Sequence, residues 1–399
     1  MGKLLMKSKD STKSLNFLFA IAVGVIVANL YYAQPILANI SDSLGIPIND
    51  IALITTLTQI GYAIGLFFLV PLLDVIENKR LIISMILLNA LALFFISISE
   101  GFYKLIFMSL CVGISASSVQ MIVPFGASMS CIKNTGATIG KIMSGLLFGI
   151  MLARPFSSFV SGVIKWQGVF FISAVLSLIL AVVFLFAIPS RKPSHRLNYF
   201  QLIYSMLGLF KTISILRQRG FYHFLAFGAF CLFWIVTPLV LVEIFDFNNN
   251  EVALFALIGV IGALVAPLAG RFADSGKSDW ATGIALLAVG ISMFLSIFYI
   301  ENRIVAFVWL AFCGIVLDFG VSLNLVIGQR IIYVLGNDIR ARLNSLYMVM
   351  FFIGGAMGSY LGGYLYAHFG YQIAFFVGGM MGILGFLSFM WNLIKNKLK

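Results

Sequence analysis

Charged side chains are scarce in this sequence of 399 residues. Asp, Glu, Lys and Arg together make up 10% of it, whereas hydrophobic residues make up 61%. A soluble domain carries roughly a quarter charged residues, so this chain has too few to cover a surface that faces water. The shortage excludes an ordinary soluble protein. It predicts that lipid is the natural solvent, with room for twelve membrane-spanning helices of about 20 residues each.

Histidine and cysteine are also few. The three histidines, His195, His223 and His368, are scattered near predicted loops, and the four cysteines lie far apart in or beside apolar stretches. We interpret the cysteines as packing residues and expect neither a disulfide framework nor a metal site. No HExxH, GxSG or Walker-type motif occurs in the sequence, which argues against an enzyme and against a nucleotide-driven pump. The expected energy source is an ion gradient, and no cofactor is expected.

Charges and Gly/Pro breaks divide the chain into twelve apolar segments. The first, Leu15 to Ala38, follows a basic N-terminus but is too long for a signal peptide, so we interpret it as a retained helix. The predicted spans are 15–38, 51–72, 81–99, 104–128, 138–163, 168–188, 220–242, 251–270, 280–299, 304–328, 343–365 and 372–394.

Basic residues are distributed unequally between the predicted loops. With both termini placed in the cytoplasm, 22 of the 26 Lys and Arg residues lie inside, and only Lys104, Lys165 and Arg303 lie outside. The positive-inside rule therefore predicts cytoplasmic termini and supports the count of twelve spans. The same distribution argues against nucleic acid as the partner of the net charge of +12, because the basic residues do not gather on one soluble face.

The longest polar break runs from Pro189 to Gly220 and separates two sets of six helices. Within it, Tyr199 to Leu216 has apolar residues at helical spacing, which predicts an amphipathic helix on the cytoplasmic membrane surface. The predicted organisation is an N-terminal six-helix bundle, a cytoplasmic linker and a C-terminal six-helix bundle, at 1–188, 189–219 and 220–399.

The two halves resemble one another. Asp74 follows the second span, and Asp274 follows the eighth span 200 positions later. The fifth span of each half is also rich in glycine. The sequence therefore predicts an all-α membrane fold of two parallel repeats related by a pseudo-two-fold axis, and such halves rock about a central site.

These features resemble the major facilitator superfamily, and most of all its bacterial twelve-helix efflux permeases, among them drug, sugar and metabolite proton antiporters. The family's cytoplasmic loop motif, Gly-x-Leu-Ala-Asp-Arg-x-Gly-Arg-Arg/Lys, is similar to the segment from Gly270 to Lys277. The first-half loop keeps part of it but has Val75 where the family has Arg. The resemblance implies a monomer in the bacterial inner membrane, with the lipid bilayer and a small molecule as partners. The predicted gate residues are Asp74, Lys79, Arg80, Gly270, Arg271, Asp274, Gly276 and Arg342.

Two further segments carry the resemblance. Gly145, Gly149 and Pro155 in the fifth span resemble the glycine-and-proline antiporter motif, with Arg154 at a position where the pattern usually has Gly. The run from Asn29 to Pro35 in the first span resembles one branch of efflux permeases. Both segments favour export as the direction of transport.

Asp318 lies about halfway along the tenth predicted span. An ionisable residue at membrane depth is costly and is therefore a functional candidate. The resemblance implies that the first, fourth, seventh and tenth helices line the central cavity, so Asp318 is predicted to face water or substrate. Burial disfavours an ionised carboxylate, which suits a proton carrier. The alternative is a structural carboxylate that is hydrogen-bonded to neighbouring helices.

Arg154 lies about halfway along the fifth span and keeps its proton at any relevant pH. It can act as a fixed counter-charge for an anionic substrate group or for a carboxylate. The alternative is a packing role, in which it hydrogen-bonds backbone carbonyls that Pro155 leaves open.

Neutral polar residues provide further candidates for the substrate path. They lie on one stripe of the second helix, on the tenth, where Ser322 and Gln329 share the face of Asp318, mid-membrane in the fourth and seventh, or towards the outer end of the first. The alternative is that they only form hydrogen bonds between helices. These candidates are Asn29, Tyr32, Gln34, Gln59, Tyr62, Gln120, Trp234, Ser322, Asn324 and Gln329.

The loop aspartates are expected to join the two halves at the cytoplasmic side. A carboxylate there can cap a helix N-terminus and pair with Arg. We expect Asp74 to approach Arg342 and Asn344, and Asp274 to approach Lys141. The overall hypothesis is a proton-driven exporter of small amphipathic molecules that works by alternating access. The alternatives are an importer of a polar nutrient and an exporter of an anionic metabolite such as a siderophore.

Overall fold

The helices of the protein account for nearly all of the chain that can be described. A computed structural model of the chain describes residues 2–129, 135–192, 198–259, 278–336 and 339–397, and no strand occurs among them. In chain order the helices are Gly2–Ala28, Leu37–Leu44, Ile48–Ile51, Leu53–Ile64, Asn78–Ser97, Phe102–Ala116, Val119–Ser128, Thr135–Ala187, Tyr199–Thr212, Ser214–Glu243, Asn249–Ala256, Ser278–Leu295, Arg303–Tyr333 and Arg340–Lys397.

Two of these helices each contain two membrane spans. Thr135–Ala187 breaks at Lys165, and Arg340–Lys397 breaks at Gly370. Within the described ranges, eight segments are long and apolar enough to cross a membrane, and these two breaks raise the number of spans to ten. The apolar helix Leu15–Ala28 belongs to the first span, and Asn249–Ala256 begins the eighth. The protein therefore has the predicted twelve-helix fold of two six-helix bundles.

The same close helix contact recurs in the two halves. A Cβ atom on Gly149 of the fifth span would collide with the carbonyl oxygen of Gly24 in the first span, and Gly145 is equally restricted. In the second half, a Cβ atom on Gly358 of the eleventh span would collide with the carbonyl oxygen of Gly228 in the seventh. Small residues let helix backbones approach in this way within a bilayer. The glycine-rich spans therefore pack against the first helix of their own half.

The first span is interrupted, whereas the sequence predicted one continuous helix over 15–38. The α-helix ends at Ala28, and a 3₁₀ turn, Gln34–Ile36, precedes the next helix, Leu37–Leu44. Pro35 accounts for part of the interruption, because it lacks an amide hydrogen and restricts the residue before it. The interruption places Gln34 at the start of the turn, where its side chain is fully buried.

The second span also departs from α-helical geometry. A π-helical turn, Gly65–Leu69, leads into a 3₁₀ turn that contains Pro71. The Val70 amide donates to the carbonyl of Gly65 and is therefore not available to the Leu66 carbonyl. The next residue, Pro71, has no amide hydrogen, so the Leu66 carbonyl has no ordinary donor within its own helix. The hydroxyl of Ser345 in the eleventh span donates to that carbonyl at 2.7 Å. The turn thereby joins the two halves.

Candidate functional site

Asp318 lies in the interior where the two halves meet. Its carboxylate Oδ1 accepts a 3.2 Å hydrogen bond from the indole Nε1 of Trp234 in the seventh span. Its second oxygen faces Gly259 of the eighth span: an ideal Cβ placed on Gly259 would lie 3.5 Å from Oδ2 of Asp318 and 3.7 Å from Nη1 of Arg154. The only carboxylate predicted at membrane depth thus shares one small region with the only predicted intramembrane arginine.

The guanidinium of Arg154 is enclosed by aromatic rings. Its central carbon lies 4.2 Å from the ring centroid of Trp234 and 5.1 Å from those of Tyr31 and Phe230. Cation–π attraction contributes about 2 kcal/mol at a desolvated site, so the rings offset part of the cost of burying this charge. Two of the rings belong to the seventh span, and the fifth-span arginine therefore reaches across into the second half.

Gln34 holds one edge of the guanidinium. Nε of Arg154 donates a 2.9 Å hydrogen bond to Oε1 of Gln34. Nη2 of Arg154 and Nε2 of Gln34 are both buried and have no hydrogen-bond partner. Arg154 and Asp318 are not among the ion pairs within 4.0 Å that the described residues form. The site therefore holds unused donors beside a cation and a carboxylate that do not touch.

Further predicted residues join this centre from the second and fourth spans. Nε2 of Gln59 lies 3.6 Å from the Cys231 sulfur of the seventh span, and the Gln59 carbonyl oxygen is buried without a partner. The ring of Tyr62 packs 4.1 Å from that of Phe352 in the eleventh span. Gln120 lies beside the Tyr62 hydroxyl. These side chains are at the interface between the halves.

The other predicted path residues lie within one half. Asn29 donates to Asn89 at 2.7 Å, and Tyr32 packs against Phe156 at 5.6 Å. Asn324 lies 2.8 Å from the Nδ1 atom of His223, Gln329 lies 3.9 Å from the sulfur of Met348, and Ser322 is half-buried. None of these contacts is with Arg154 or Asp318, and Ser322 lies one helical turn from Asp318 in the same helix.

The first-half loop motif has contacts within its own half and one across the interface. Lys79 donates to the Leu185 carbonyl at 2.8 Å, and Arg80 pairs with Glu77 at 2.8 Å. The charge of Arg342 acts on the carboxylate of Asp74, as expected for an approach to the eleventh span. Arg342 also donates to Ser205 of the linker helix at 2.8 Å. The second-half motif residues Gly270, Arg271, Asp274 and Gly276 lie outside the described residues.

Sequence reasoning missed a second buried polar cluster. His223, which was predicted near a loop, is fully buried in the seventh span, and its ring stacks on Phe351 at 4.5 Å. One turn earlier, Arg219 donates to Thr282 at 2.7 Å and lies 3.8 Å from Asp279. Within the described ranges, no three His, Cys, Asp or Glu side chains gather as a metal site requires.

Comparison with known proteins decides the family. A model of the Major Facilitator Superfamily matches residues 19–334. The chain belongs to the major facilitator superfamily. Transporter YgaY of Escherichia coli (strain K12) is 35% identical over 364 residues, which cover 91% of each chain. Like its relatives in the superfamily, this multi-pass bacterial membrane protein is a transporter rather than an enzyme, and it binds a small-molecule substrate.

A more distant relative and a solved structure each align with nearly the whole chain. The purine ribonucleoside efflux pump NepI of Salmonella paratyphi A is 21% identical over 364 residues, which are 89% of this chain and 87% of NepI. The crystal structure of a variant of the nucleoside transporter NupG aligns with a TM-score of 0.76 at 14% identity. That alignment covers 94% of this chain and 99% of NupG, and at this identity it supports the fold alone.

Proposed function

We propose that this transporter exports small amphipathic molecules from bacteria in exchange for protons, by alternating access across the inner membrane. The direction is supported by the family resemblance of the first and fifth spans and by the efflux activity that the name of NepI records. The excess of basic residues in alternate loops supports cytoplasmic termini. The proton gradient across the inner membrane is the energy source in this proposal.

The observation that carries the proposal is the position of Asp318. It is buried at the meeting point of the halves, and it lies close to Arg154 without forming an ion pair within 4.0 Å. Burial makes ionisation costly, and the nearby guanidinium favours the ionised form. These opposed effects let a carboxylate bind and release a proton as its surroundings change between two conformations.

Exchange requires that a proton and a substrate exclude each other. Ionised Asp318 balances the charge of Arg154, and its Oδ2 atom can accept a hydrogen bond from a substrate. A proton on the same carboxylate removes that acceptor and the balancing charge. The substrate then leaves on the side from which the proton arrived, and the protonated carrier returns to release its proton on the other side.

Contacts at both ends of the interface support two alternating closures. At the predicted outer end, Asn39 donates to Asn249 of the second half at 3.3 Å. At the predicted cytoplasmic end, Ser345 donates to the Leu66 carbonyl. Each is a single neutral hydrogen bond with a net contribution of about 1 kcal/mol, so neither bond by itself holds its end closed.

Uptake into proteoliposomes with an imposed pH gradient tests the proposal. An exchanger accumulates substrate inside vesicles whose lumen is acidic, because protons leave as substrate enters. The panel includes inosine, since a relative is named for purine ribonucleosides, together with small aromatic amides and amphipathic cations. Accumulation at an equal rate without a gradient would exclude proton coupling.

Import of a polar nutrient is the second candidate. The buried amide side chains of Gln34 and Gln59 favour it, since both have polar atoms without partners. The same experiment distinguishes the two candidates by the direction of the pH gradient that drives accumulation. A proton symporter accumulates its substrate in vesicles with an alkaline lumen, which is the opposite of the exchanger.

A further inference from the structure

We propose that Arg154, Gln34, Asp318 and Gly259 form a hydrogen-bonding slot for the edge of a neutral, planar ligand in which a carbonyl acceptor stands beside an N–H donor. Lactams, imides and carboxamides have such an edge. This inference rests on the proposed function and names the substrate class of the same site.

The distances define the slot. A point at the Cβ position of Gly259 lies 3.7 Å from Nη1 of Arg154 and 3.5 Å from Oδ2 of Asp318. These two atoms are therefore no more than about 7 Å apart, and they are more than 4.0 Å apart because they form no ion pair. The carbonyl oxygen and amide nitrogen of one lactam are about 2.2 Å apart. If this oxygen and this nitrogen each make a hydrogen bond of about 2.9 Å, the two protein atoms that bind them can be about 3 to 8 Å apart.

The donors and acceptors present match that edge. Nη1 of Arg154 is the donor that faces the point at Gly259, and a carbonyl oxygen can accept from it. Two further donors belong to the same guanidinium and its hydrogen-bond partner: Nη2 of Arg154 and Nε2 of Gln34, which are buried without partners. Asp318 supplies an acceptor for the ligand's N–H. A buried polar atom without a hydrogen-bond partner is costly, so a ligand that bonds to these atoms is stabilised in the site.

Charge favours a neutral ligand over an anion. Ionised Asp318 already balances Arg154, so a neutral ligand leaves the slot neutral, whereas an anion adds a second negative charge to a buried site. The ring atom Cζ2 of Trp234 lies 3.5 Å from the same point at Gly259, so a ligand edge placed there also contacts the indole ring. That contact favours a planar ligand.

Gly259 allows a substitution that fills the slot without disturbing the protein. An alanine methyl there would lie 3.5 to 3.7 Å from its nearest neighbours, which is ordinary van der Waals contact. We expect Gly259→Ala to fold with unchanged or higher thermal stability and to weaken ligand binding at least about tenfold. Gly140→Ala is the control, because its added methyl would meet no atom within 4 Å.

Saturation-transfer NMR on the purified protein in detergent tests the proposal with three probes at millimolar concentration. They are 2-pyridone, which has the required edge; N-methyl-2-pyridone, which lacks the N–H; and benzoate, which is an anion. We expect 2-pyridone to bind, N-methyl-2-pyridone to bind at least about tenfold more weakly, and benzoate to bind no better than N-methyl-2-pyridone. Binding of 2-pyridone should be lost as the pH falls and Asp318 takes up a proton.

The proposal is overturned if no probe binds, if the N-methyl compound binds as well as 2-pyridone, if benzoate binds best, or if Gly259→Ala retains binding. Gln34→Glu provides a second variant of nearly the same shape. Its carboxylate pairs with the Arg154 edge and should abolish 2-pyridone binding while the protein remains folded, and retained binding would contradict the role of Gln34. Binding requires no gradient, so failure of proton-coupled transport with intact 2-pyridone binding would refute only the proposed function.

Discussion

The two halves of the protein share a backbone plan but bury different chemistry. In the first half, Asn89 joins Asn29 and Ser115 in a network of neutral side chains, with hydrogen bonds of 2.7 and 3.0 Å. In the second half, the Asp, Glu, His, Lys and Arg side chains buried among the described residues are Arg219, His223 and Asp318. Among the first-half residues whose burial is described, Arg154 is the buried charge, and it points into the aromatic rings of the second half.

This difference indicates that the buried polar groups of the two halves have different roles. A neutral, satisfied network holds helices together at any pH, because none of its members changes charge. Titratable groups with incomplete partners respond to protons and ligands. We therefore expect changes in the first-half network to alter stability, and changes at the centre to alter transport.

The largest effect is expected where the halves are alike. Leucine at Gly149 or at Gly358 would force a side chain into a backbone carbonyl, which cannot move aside as a flexible side chain can. We expect each substitution to destabilise the protein by more than ~3 kcal/mol and to abolish the monodisperse peak in size-exclusion chromatography. Gly140→Leu, in open space, should behave as wild type. A normal peak from either variant would contradict the shared packing.

The next effect separates the halves. Asn89→Leu removes the partner of the Asn29 amide and leaves a buried donor unsatisfied, so the free energy of unfolding should fall by about 1–3 kcal/mol. Transport per folded molecule should keep its dependence on the pH gradient, because no titratable group is touched. Thermal unfolding and vesicle uptake measured on the same preparation check both statements. Loss of the pH dependence would place proton coupling in the first half as well.

A smaller effect concerns the contact between the halves. Ser345→Ala removes the donor to the Leu66 carbonyl, which is worth about 0.5–1.5 kcal/mol, so the open population at that end should rise up to about tenfold. Spin labels on the exposed residues Ile76 and Val334, in a cysteine-free background, would report it as a longer mean distance. Ser144→Ala removes a hydrogen bond within one helix and is the control. An unchanged distance distribution would show that this bond does not hold the end closed.

The smallest effect compares the breaks in the two long helices. Lys165 has φ 67° and ψ 165°, and Gly370 has φ 80° and ψ 171°. This conformation is nearly exclusive to glycine and costs another residue roughly 1–3 kcal/mol. Lys165→Gly should therefore stabilise the protein by about 1 kcal/mol, and Gly370→Ala should destabilise it, as measured by thermal unfolding. A lower stability of Lys165→Gly would mean that the Lys165 side chain stabilises the break.

Hydropathy and charge predicted the fold, since both report depth in the membrane. They also pointed to Asp318, Arg154 and Gln34, because a polar residue at that depth stands out from its apolar neighbours. They did not show which neighbours such a residue meets. The role of Gly259 depends on atoms from three other spans, which no local pattern contains.

Two features of the structure that the sequence did not predict have more specific causes. The seventh span was predicted to begin at 220, but its helix begins at Ser214, so His223 lies more than two turns inside it. The contact of Ser345 depends on a π-helical turn in another span, and the serine itself carries no sign of it. Helix ends and contacts between halves are set by tertiary packing, which single-sequence periodicity does not report.

Transport by Asp318→Asn tests the central claim most directly. Asparagine keeps the size of the side chain, but it replaces one carboxylate oxygen with an NH₂ donor and cannot exchange a proton at any relevant pH. In proteoliposomes, we expect accumulation driven by an acidic lumen to disappear, and exchange of labelled for unlabelled substrate at equal pH to weaken as well, because asparagine removes the charge and one of the acceptor oxygens on which substrate binding depends. Gradient-driven accumulation that survives in Asp318→Asn would contradict the assignment of proton coupling to this carboxylate.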